Sequence, residues 1–328
     1  MSILGATVID RASKLGSEGR DSGQALPHTA AIRRVQVIFN PTAGGAKRQK
    51  YHAVLDRLLQ AGVEVDERPT GRRGDAEAFA AELERGACDR LVVAGGDGTI
   101  NEAINGLGQN RAGGATTPLA LLPLGTANVL ALEIGLSTSS AKVARAILEG
   151  PVHPVTLGEA NGRRFTLMAG VGFDAHVVAQ VSKGMKRRLG KGAYIYQTMR
   201  QIGRFDFPSY NVRIDGVEET VASAVVANAR YYGGRFVMAP EAQLQSGTLE
   251  VCLFDTPGRA AALKYAAALA LGLLPRLSDF RIVTGRQIRI QGPVEDPVQG
   301  DGDIVAALPA EVRVLPDALN LVFPSSRR

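Results

Sequence analysis

The stretch Leu91–Leu107, LVVAGGDGTINEAINGL, places four apolar residues before a glycine-rich turn and a segment with helical spacing. An apolar run that ends in glycines is typical of a buried strand entering a tight loop. Glycines let a phosphate approach the backbone, and the N-terminus of a helix offers unpaired N–H groups to an anion. Asp97 is then unexpected, because a phosphate site favours positive charge. The stretch predicts a strand, a phosphate-binding loop and a helix, with one acid that needs its own explanation.

The first half of the chain alternates between predicted strands and helices. The strands are predicted at 34–39, 63–70, 90–94 and 118–122, and the helices at about 46–60, 75–85 and 97–106. Such alternation indicates right-handed βαβ units around a parallel sheet. We therefore predict an α/β domain over residues 31–150.

After about Gly150 the pattern changes to alternating apolar and polar residues, which is typical of antiparallel strands. The strands are predicted at 210–214, 220–229, 248–255, 286–291, 311–315 and 318–323. Asp215-Gly216 between two such runs is a strong hairpin signal. We predict a β-rich domain over residues 151–328, with a helix near 189–203 and final strands that pack back on the first domain. Residues 1–30 are predicted to be disordered because they are rich in glycine, serine and charge.

Composition limits the function classes without naming one. The chain has 328 residues, 45% of them hydrophobic, and a formal net charge of +6, which suits an anionic partner. Two distant cysteines and four scattered histidines provide no disulfide framework and no metal-ligand spacing. A secretory signal is not expected, and the longest apolar run is too short to span a bilayer.

Three loops of small residues follow predicted strands of the parallel sheet: NPTAGG from Asn40, GGDGT from Gly95 and PLGTAN from Pro123. Ligands of open parallel sheets bind beyond the carboxyl ends of the strands, so these loops predict a nucleotide site. None of them is a P-loop or a GxGxxG fingerprint. Thr99 and Glu102 also match a T-x-x-E capping box, and that structural role stays open beside the functional one.

Asp97 has two interpretations at this stage. Phosphoryl transfer from ATP usually uses Mg²⁺, which carboxylates, waters and phosphates hold. An acid among backbone N–H groups could therefore organise the metal while the amides bind phosphates. The alternative is that Asp97 only stabilises the turn.

Five motifs occur in a fixed order: NPTAGG, GGDGTINE, PLGTANVLA, GVGFDA and GDGD. Together they resemble the diacylglycerol kinase catalytic family, which includes bacterial lipid kinases, sphingosine kinases and ceramide kinases. The resemblance covers about residue 34 to the end. It implies an NAD-kinase-like α/β N-terminal domain with a parallel sheet, a C-terminal antiparallel β-sandwich-like domain, and an active site in the cleft between them.

The resemblance also implies site residues. Those that would contact the nucleotide or its metal are Asn40, Thr70, Gly95, Gly96, Asp97, Gly98, Thr99, Thr126 and Asn128. The catalytic residues would be Asp97, at the catalytic Mg²⁺, and Asp303, as general base. Asp303 stands where the family carries the Glu of a DGE motif. Asp301-Gly302 is also a plain hairpin-turn signature, so a purely structural role for the DGD segment stays open.

Two departures from the family pattern stand out. Ser246 occupies the position where relatives with a structural Mg²⁺ often carry an Asp, and a hydroxyl is a poorer ligand for Mg²⁺ than a carboxylate. Val129 and Leu132 replace the Asp and Arg of the common GTANDFAR loop, which leaves Asn128 as the polar residue expected to face the ligand. We therefore doubt the structural metal and keep the catalytic one.

The resemblance implies a lipid kinase that uses ATP and Mg²⁺ and phosphorylates a hydroxyl of a diacylglycerol, ceramide or sphingoid lipid. The alternatives are an NAD kinase-like enzyme and a non-catalytic nucleotide- or lipid-binding protein. The expected partners are ATP, a membrane lipid and an anionic membrane surface, without nucleic acid; a homodimer stays open. The expected location is cytoplasmic, peripheral at the inner face of the membrane.

A basic stretch precedes two tyrosines in the second half. The cations Lys183, Lys186, Arg187, Arg188 and Lys191 are followed by Tyr194 and Tyr196. Basic residues favour anionic headgroups, and aromatic rings suit the headgroup level. We expect residues 182–205 to face the membrane, with a solvated helix start as the alternative.

Overall fold

The computed structural model describes residues 31–41, 44–180 and 205–325. The predicted disorder of residues 1–30 and the predicted helix near 189–203 lie outside these ranges. The basic membrane-facing stretch also lies outside them, except for Phe205.

The first half forms four strands and five helices. They are β1 (Arg34–Phe39), α1 (Ala46–Gln60), β2 (Glu64–Pro69), α2 (Asp75–Ala81), β3 (Arg90–Gly95), α3 (Asp97–Gln109), β4 (Leu119–Pro123), α4 (Val129–Glu133) and α5 (Ser140–Glu149). The four strands are parallel in the order β2-β1-β3-β4. All six residues of β3 are buried, as expected for a strand that is covered on both faces.

Among its described residues, the second half contains the remaining strands and two α-helices. They are β5 (Val152–Ala160), β6 (Arg163–Phe165), β7 (Met168–Val171), α6 (Phe173–Gln180), β8 (Tyr210–Ile214), β9 (Val217–Val221), β10 (Ser223–Ala227), β11 (Tyr231–Tyr232), β12 (Phe236–Val237), β13 (Leu249–Phe254), α7 (Arg259–Ala270), β14 (Phe280–Gly285), β15 (Gln287–Gln291), β16 (Pro297–Gly300), β17 (Asp303–Ala307) and β18 (Ala310–Val322).

Two large sheets organise the molecule. The parallel strands belong to a ten-stranded sheet in which β18 lies beside β4, pairing Leu321 with Leu119 in parallel. A six-stranded antiparallel sheet has the order β14-β13-β10-β7-β16-β17. The α/β half followed by antiparallel sheets confirms the predicted fold class.

Three predicted elements differ from those observed. Helix α2 ends at Ala81 instead of near residue 85. The run 220–229 is split between β9 and β10, which belong to different sheets, because Ala222 turns to donate its N–H to the Phe254 carbonyl. The two predicted final strands are one strand, β18, whose pairing with β5 is irregular between Leu315 and Leu319.

Two Asp-Gly turns adopt the left-handed backbone that such hairpins require. At the first, Asp215 and Gly216 have φ of 47° and 96° between β8 and β9. At the second, Asp301 and Gly302 have φ of 49° and 84° between β16 and β17. Asp301-Gly302 therefore forms the predicted hairpin turn, and Asp303 is the first residue of β17.

The helices in the described ranges fall short, in length or in hydropathy, of what a bilayer-spanning helix requires.

Candidate active site

The carboxyl ends of the parallel strands bring four predicted site segments to one edge of the sheet. Asn40 follows β1 and donates its backbone N–H to the Ala94 carbonyl at 3.2 Å. Thr70 follows β2 and donates both its N–H and its hydroxyl to the Phe39 carbonyl, at 2.9 and 3.3 Å. The hydroxyl of Thr70 is thus used within the sheet edge, which gives this residue a structural role beside any contact with a ligand.

The loops after β3 and β4 touch each other through backbone atoms. The N–H of Leu124 donates to the Gly95 carbonyl at 2.9 Å. A Cβ built on Gly125 would lie 2.6 Å from the Cα of Gly96, closer than real Cβ contacts. Glycine is therefore required at this contact because a side chain on Gly125 would separate the two loops.

Asp97 joins these loops. Its Oδ1 accepts the N–H of Val129 at 2.8 Å and approaches the N–H of Leu130 at 3.5 Å, so it bonds the first free amides of α4. Burial raises the pKa of Asp97, and the backbone hydrogen bonds from the start of α4 oppose that effect. One reason for an acid inside this loop is therefore local: a carboxylate at the N-terminus of a helix is favourable.

The capping box proposed for Thr99 and Glu102 is wrong. Helix α3 begins at Asp97, so Thr99 lies inside the first turn, and the N-cap residue Gly96 has no side chain to bond. The Oε2 of Glu102 instead accepts the N–H of Gly74 at 3.0 Å, immediately before α2. Glu102 ties α3 to the start of α2, a long-range contact that a local four-residue pattern does not reveal.

The two predicted ligand-binding residues of the loop after β4 differ in their exposure to solvent. Thr126 is exposed at the sheet edge. Asn128 has a left-handed backbone with φ of 50°, and its side-chain amide donates to the Gly125 carbonyl at 3.1 Å. The side chain predicted to face the ligand therefore closes its own loop. Lys50 of α1 reaches the same region and donates to the Pro123 carbonyl at 2.9 Å.

The two aspartates of the DGD segment have different environments. The carboxylate of Asp301 accepts the backbone N–H groups of Thr166, Leu167 and Met168, at 2.8 to 3.1 Å. It also accepts the hydroxyl of Thr166 at 2.8 Å and the side-chain amide of Asn101 at 2.9 Å. Asp301 therefore holds the turn against α3 and the start of β7, with five donors to one carboxylate.

The side chain of Asp303 lies beside the glycine loop of residues 95–99 and forms an ion pair with Arg73. Its Oδ2 lies 3.8 Å from the Cβ position of Gly98, and 3.4 Å from a guanidinium nitrogen of Arg73. Its side chain is 42% exposed, compared with 53% for Arg73. An accessible carboxylate beside a loop that is predicted to bind phosphate is available to take a proton from a substrate.

The residues fit a nucleotide-bound Mg²⁺ better than a dedicated metal cage. Within residues 31–41, 44–180 and 205–325, no three His, Cys, Asp or Glu side chains cluster as metal ligands. Mg²⁺ in phosphoryl-transfer sites is usually held by one or two carboxylates together with substrate phosphates and waters. Asp97 could supply such a carboxylate, while Asp303, beside Gly98, stays available as a base.

We expect the folding stability to change little when Mg²⁺ is removed. The hydroxyl of Ser246 donates to the Thr248 carbonyl at 2.9 Å, which engages it in its own turn. Thermal unfolding without nucleotide, with and without a chelator, tests this expectation. A shift of many degrees would contradict it and would mean that other oxygen ligands complete a structural site.

An apolar cavity of about 210 Å³ lies in the second half of the chain. Residues of the six-stranded sheet, α6 and α7 contribute to its lining, most of which is aliphatic or aromatic. The residues include Phe173, Val177, Val225, Met238, Phe254 and Leu269. A cavity of this composition suits a hydrocarbon chain.

One carboxylate lies in the wall of this cavity. Asp174 of α6 is partly buried, with its Oδ2 shielded from solvent, and it accepts the hydroxyl of Tyr232, with the amide of Gln299 beside it. Burial raises the pKa of Asp174 to about 6, because an apolar environment disfavours the charged form. A partly buried ionisable group in an otherwise apolar cavity is a functional-site candidate.

A continuous set of contacts connects this cavity with Asp303. Gln299 lies beside Asp174 at one end, and its Oε1 accepts the N–H of Gly302 at 3.1 Å at the other. Gly302 immediately precedes Asp303, which faces Gly98. The hairpin turn at Asp301-Gly302 therefore connects the polar part of the cavity wall with the glycine loop of residues 95–99.

Replacing Asp174 with Asn is expected to stabilise the folded protein above pH 6. The folded-state pKa of Asp174 is above its unfolded value of about 4, so its contribution to stability is greatest at low pH. That contribution falls as the pH rises through about 6, by up to about 3 kcal/mol in the free energy of unfolding. Asn does not titrate, so the variant should lose the part of the pH dependence that comes from this residue. The fold should be kept, because the Asn oxygen can still accept the Tyr232 hydroxyl. Denaturant unfolding from pH 4 to pH 8 measures it, and an Asp174→Asn curve parallel to wild type would contradict the assignment.

Sequence reasoning missed Arg73, Tyr232 and Gln299, and quoted Asp174 only as part of a motif. Arg73 belongs to a loop after β2, while Tyr232 and Gln299 come from separate strands. None of the three stands in a pattern that marks chemistry. Asp174, in the GVGFDA segment between β7 and α6, was the one detectable signal.

Models of two known protein families match the two halves of the chain. The family described as diacylglycerol kinase catalytic domain matches residues 34–160. The YegS C-terminal NAD kinase beta sandwich-like domain matches residues 168–323. The first range contains the loops after β1, β2, β3 and β4, and the second contains the residues that line the apolar cavity.

Individual relatives extend over much of the chain. A diacylglycerol kinase from Mycobacterium tuberculosis is 29% identical over 313 residues, covering 92% of this chain and 98% of the relative. A YegS-like lipid kinase from Pseudomonas aeruginosa is 33% identical over 219 residues, covering 65% of this chain and 70% of the relative. A solved structure of a diacylglycerol kinase from Bacillus anthracis has a TM-score of 0.71 at 25% identity, covering 89% of this chain and 97% of that one.

Proposed function

The chain belongs to the diacylglycerol kinase catalytic-domain family, as its motifs indicated, and we propose that it transfers the γ-phosphate of ATP to a hydroxyl of a membrane lipid. The proposed acceptor is a lipid of the diacylglycerol, ceramide or sphingoid type. The observation that supports this most is the connection from Asp174 through Gln299 and Gly302 to Asp303. Through one hairpin turn it connects the wall of an apolar cavity with the carboxylate that lies beside Gly98.

The nucleotide would bind at the edge formed by Asn40, Thr70, residues 95–99 and Thr126. Backbone N–H groups of the glycine loop would bind phosphate oxygens, which is the usual use of a loop before a helix N-terminus. Bound Mg²⁺, held by Asp97 and the phosphates, would neutralise charge on the transferred phosphoryl group. Asp97 would also keep the loops after β3 and β4 together.

Asp303 would act as the general base. As the lipid oxygen forms its bond to the γ-phosphorus and the bond to the ADP oxygen breaks, the hydroxyl proton would pass to the Asp303 carboxylate. Arg73 would hold that carboxylate beside Gly98 before the substrates bind. Placement of the two substrates and neutralisation of charge would supply most of the rate enhancement.

The lipid would place an acyl chain in the apolar cavity and its polar end near Asp174. Residues 31–150 would carry the nucleotide and residues 151–328 the acceptor, joined through the ten-stranded sheet. The proposed setting is the cytoplasmic face of a membrane, with contact to its anionic surface.

The decisive experiment is incubation of the protein with labelled ATP and a total lipid extract, followed by mass spectrometry of the phosphorylated product. We expect one lipid class to acquire a phosphate, with stoichiometric release of ADP. Phosphorylation of NAD instead would favour the NAD kinase alternative. ATP binding without ADP release across a broad lipid panel would favour a non-catalytic binding protein.

A further inference from the structure

Helix α7 and the turn after it have a composition unusual for an exposed surface. Residues 256–278, TPGRAAALKYAAALALGLLPRLS, contain no carboxylate, and alanine and leucine make up more than half of them. The helix nevertheless buries only Ala261, Tyr265 and Ala268. Water-facing helices usually carry polar residues of both signs, so this composition indicates a partner other than water.

Large apolar side chains are concentrated on this surface. Leu271 is 72% exposed, while Leu263 and Phe236 are each 44% exposed and Leu273 is 38% exposed. Phe236 lies on β12, which packs beside α7. These four residues are half of the large apolar side chains that are exposed in the described part of the chain. We call Phe236, Leu263, Leu271 and Leu273 the α7 face.

Two exposed cations lie close in sequence to residues of the α7 face. Arg235 precedes Phe236, and Arg276 follows Leu273; both are exposed. Lys264 of the same helix is neutralised by its ion pair with Asp279. A second copy of this chain would bring the same cations against each other, which disfavours self-association. An anionic and apolar surface is the complementary partner.

The helix that carries the α7 face also forms part of the wall of the apolar cavity. Ala262, Tyr265, Ala266 and Leu269 of α7 line that cavity, while Leu263 and Leu271 face outward from the same helix and its end. A bilayer in contact with the α7 face would therefore be separated from the cavity by this one helix.

We propose that the α7 face docks on an anionic phospholipid bilayer, with its leucines and Phe236 in the acyl boundary and Arg235 and Arg276 at the headgroups. The α7 face contains no residue of the stretch 182–205. The inference rests on the proposed function for its purpose, which is delivery of the lipid acceptor to the cavity. Burial of exposed apolar side chains and attraction to anionic headgroups are the two contributions that drive such docking.

Vesicle co-sedimentation without ATP tests the docking directly. The probe is a vesicle of phosphatidylcholine and phosphatidylglycerol, and the variants are Leu263→Gln with Leu271→Gln, and Arg235→Gln with Arg276→Gln. The leucine pair is expected to weaken binding roughly tenfold or more, because two partly inserted side chains are lost. The arginine pair should weaken it by about fivefold per charge, and only on anionic vesicles. The matched control is Val217→Gln with Val294→Gln, which replaces apolar residues of similar exposure elsewhere and should bind like wild type.

Further measurements separate the alternatives. The leucine variant should keep the wild-type melting temperature and wild-type activity on a short-chain, monomeric diacylglycerol. Vesicle binding equal to wild type in both test pairs overturns the docking proposal, as does a change of oligomeric mass in the leucine variant by analytical ultracentrifugation. If wild type binds vesicles through this face but phosphorylates no lipid, the docking stands and the proposed function fails.

Discussion

Replacing Asp303 with Asn is expected to reduce turnover by roughly 10²–10⁴-fold while ATP binding persists, because an amide cannot take the hydroxyl proton. The Asp303 carboxylate is 42% exposed and lies beside Gly98 with Arg73 as its ion-pair partner. Asn keeps the shape of the side chain, so the fold should be unchanged. Steady-state kinetics and nucleotide binding measured on the same preparation test this prediction.

Two matched variants make the Asp303 result specific. Asp303→Glu should retain part of the activity, since it restores a carboxylate at the position where relatives carry Glu. Asp301→Asn should instead lower the melting temperature, because an amide nitrogen would face donors that now surround the Asp301 carboxylate. A fully active Asp303→Asn variant beside a folded but inactive Asp301→Asn variant would mean that the wrong aspartate has been assigned as base.

Replacing Asp97 with Asn is expected to cut turnover by on the order of 100-fold or more, because a charge that positions the metal contributes several kcal/mol to transition-state stabilisation. The fold should survive, since the Asn oxygen can still accept the Val129 N–H. The melting temperature should equal or exceed that of wild type, because burial disfavours the charged form of Asp97. Kinetics and thermal unfolding together measure the two effects.

Asp97→Ala is the comparison that separates the two roles of this residue. It removes the charge and also the acceptor for the first amides of α4, which should cost about 1 kcal/mol of stability, as loss of a helix cap does. Near-normal turnover in a folded Asp97→Asn variant, with loss only in Asp97→Ala, would return Asp97 to a purely structural role.

Local patterns were sufficient for most of the α/β half. Strand β1 and helix α1 lie where periodicity predicted them, because the apolar spacing of a strand or helix is a property of consecutive residues. The Asp215-Gly216 hairpin followed from the backbone that these two residues favour. The errors occurred where partners are distant: Ala222 ends a strand because of Phe254, and Glu102 bonds Gly74 instead of its own turn.

The two carboxylates of the DGD segment show the limit of local reasoning. Asp301 and Asp303 are the same residue type, and in the sequence they differ only in standing before or after Gly302. Their environments differ because Asp301 meets donors from residues 166–168 and Asn101, while Asp303 meets Gly98 and Arg73. Only the family resemblance selected Asp303, and only the folded chain provides a physical reason for that selection.

The sequence by itself determined the order of the four parallel strands and the first three helices, the three glycine-rich loops and the family, because these depend on residues that are neighbours along the chain. The tertiary structure alone decided that Asp97 ties two loops together, that Asp174 and Gln299 connect an apolar cavity to Asp303, and that α7 leaves leucines exposed. These features depend on which faces of distant segments meet. Hydrogen bonds and burial between residues far apart in the chain are set by packing, and no local pattern in the chain records them.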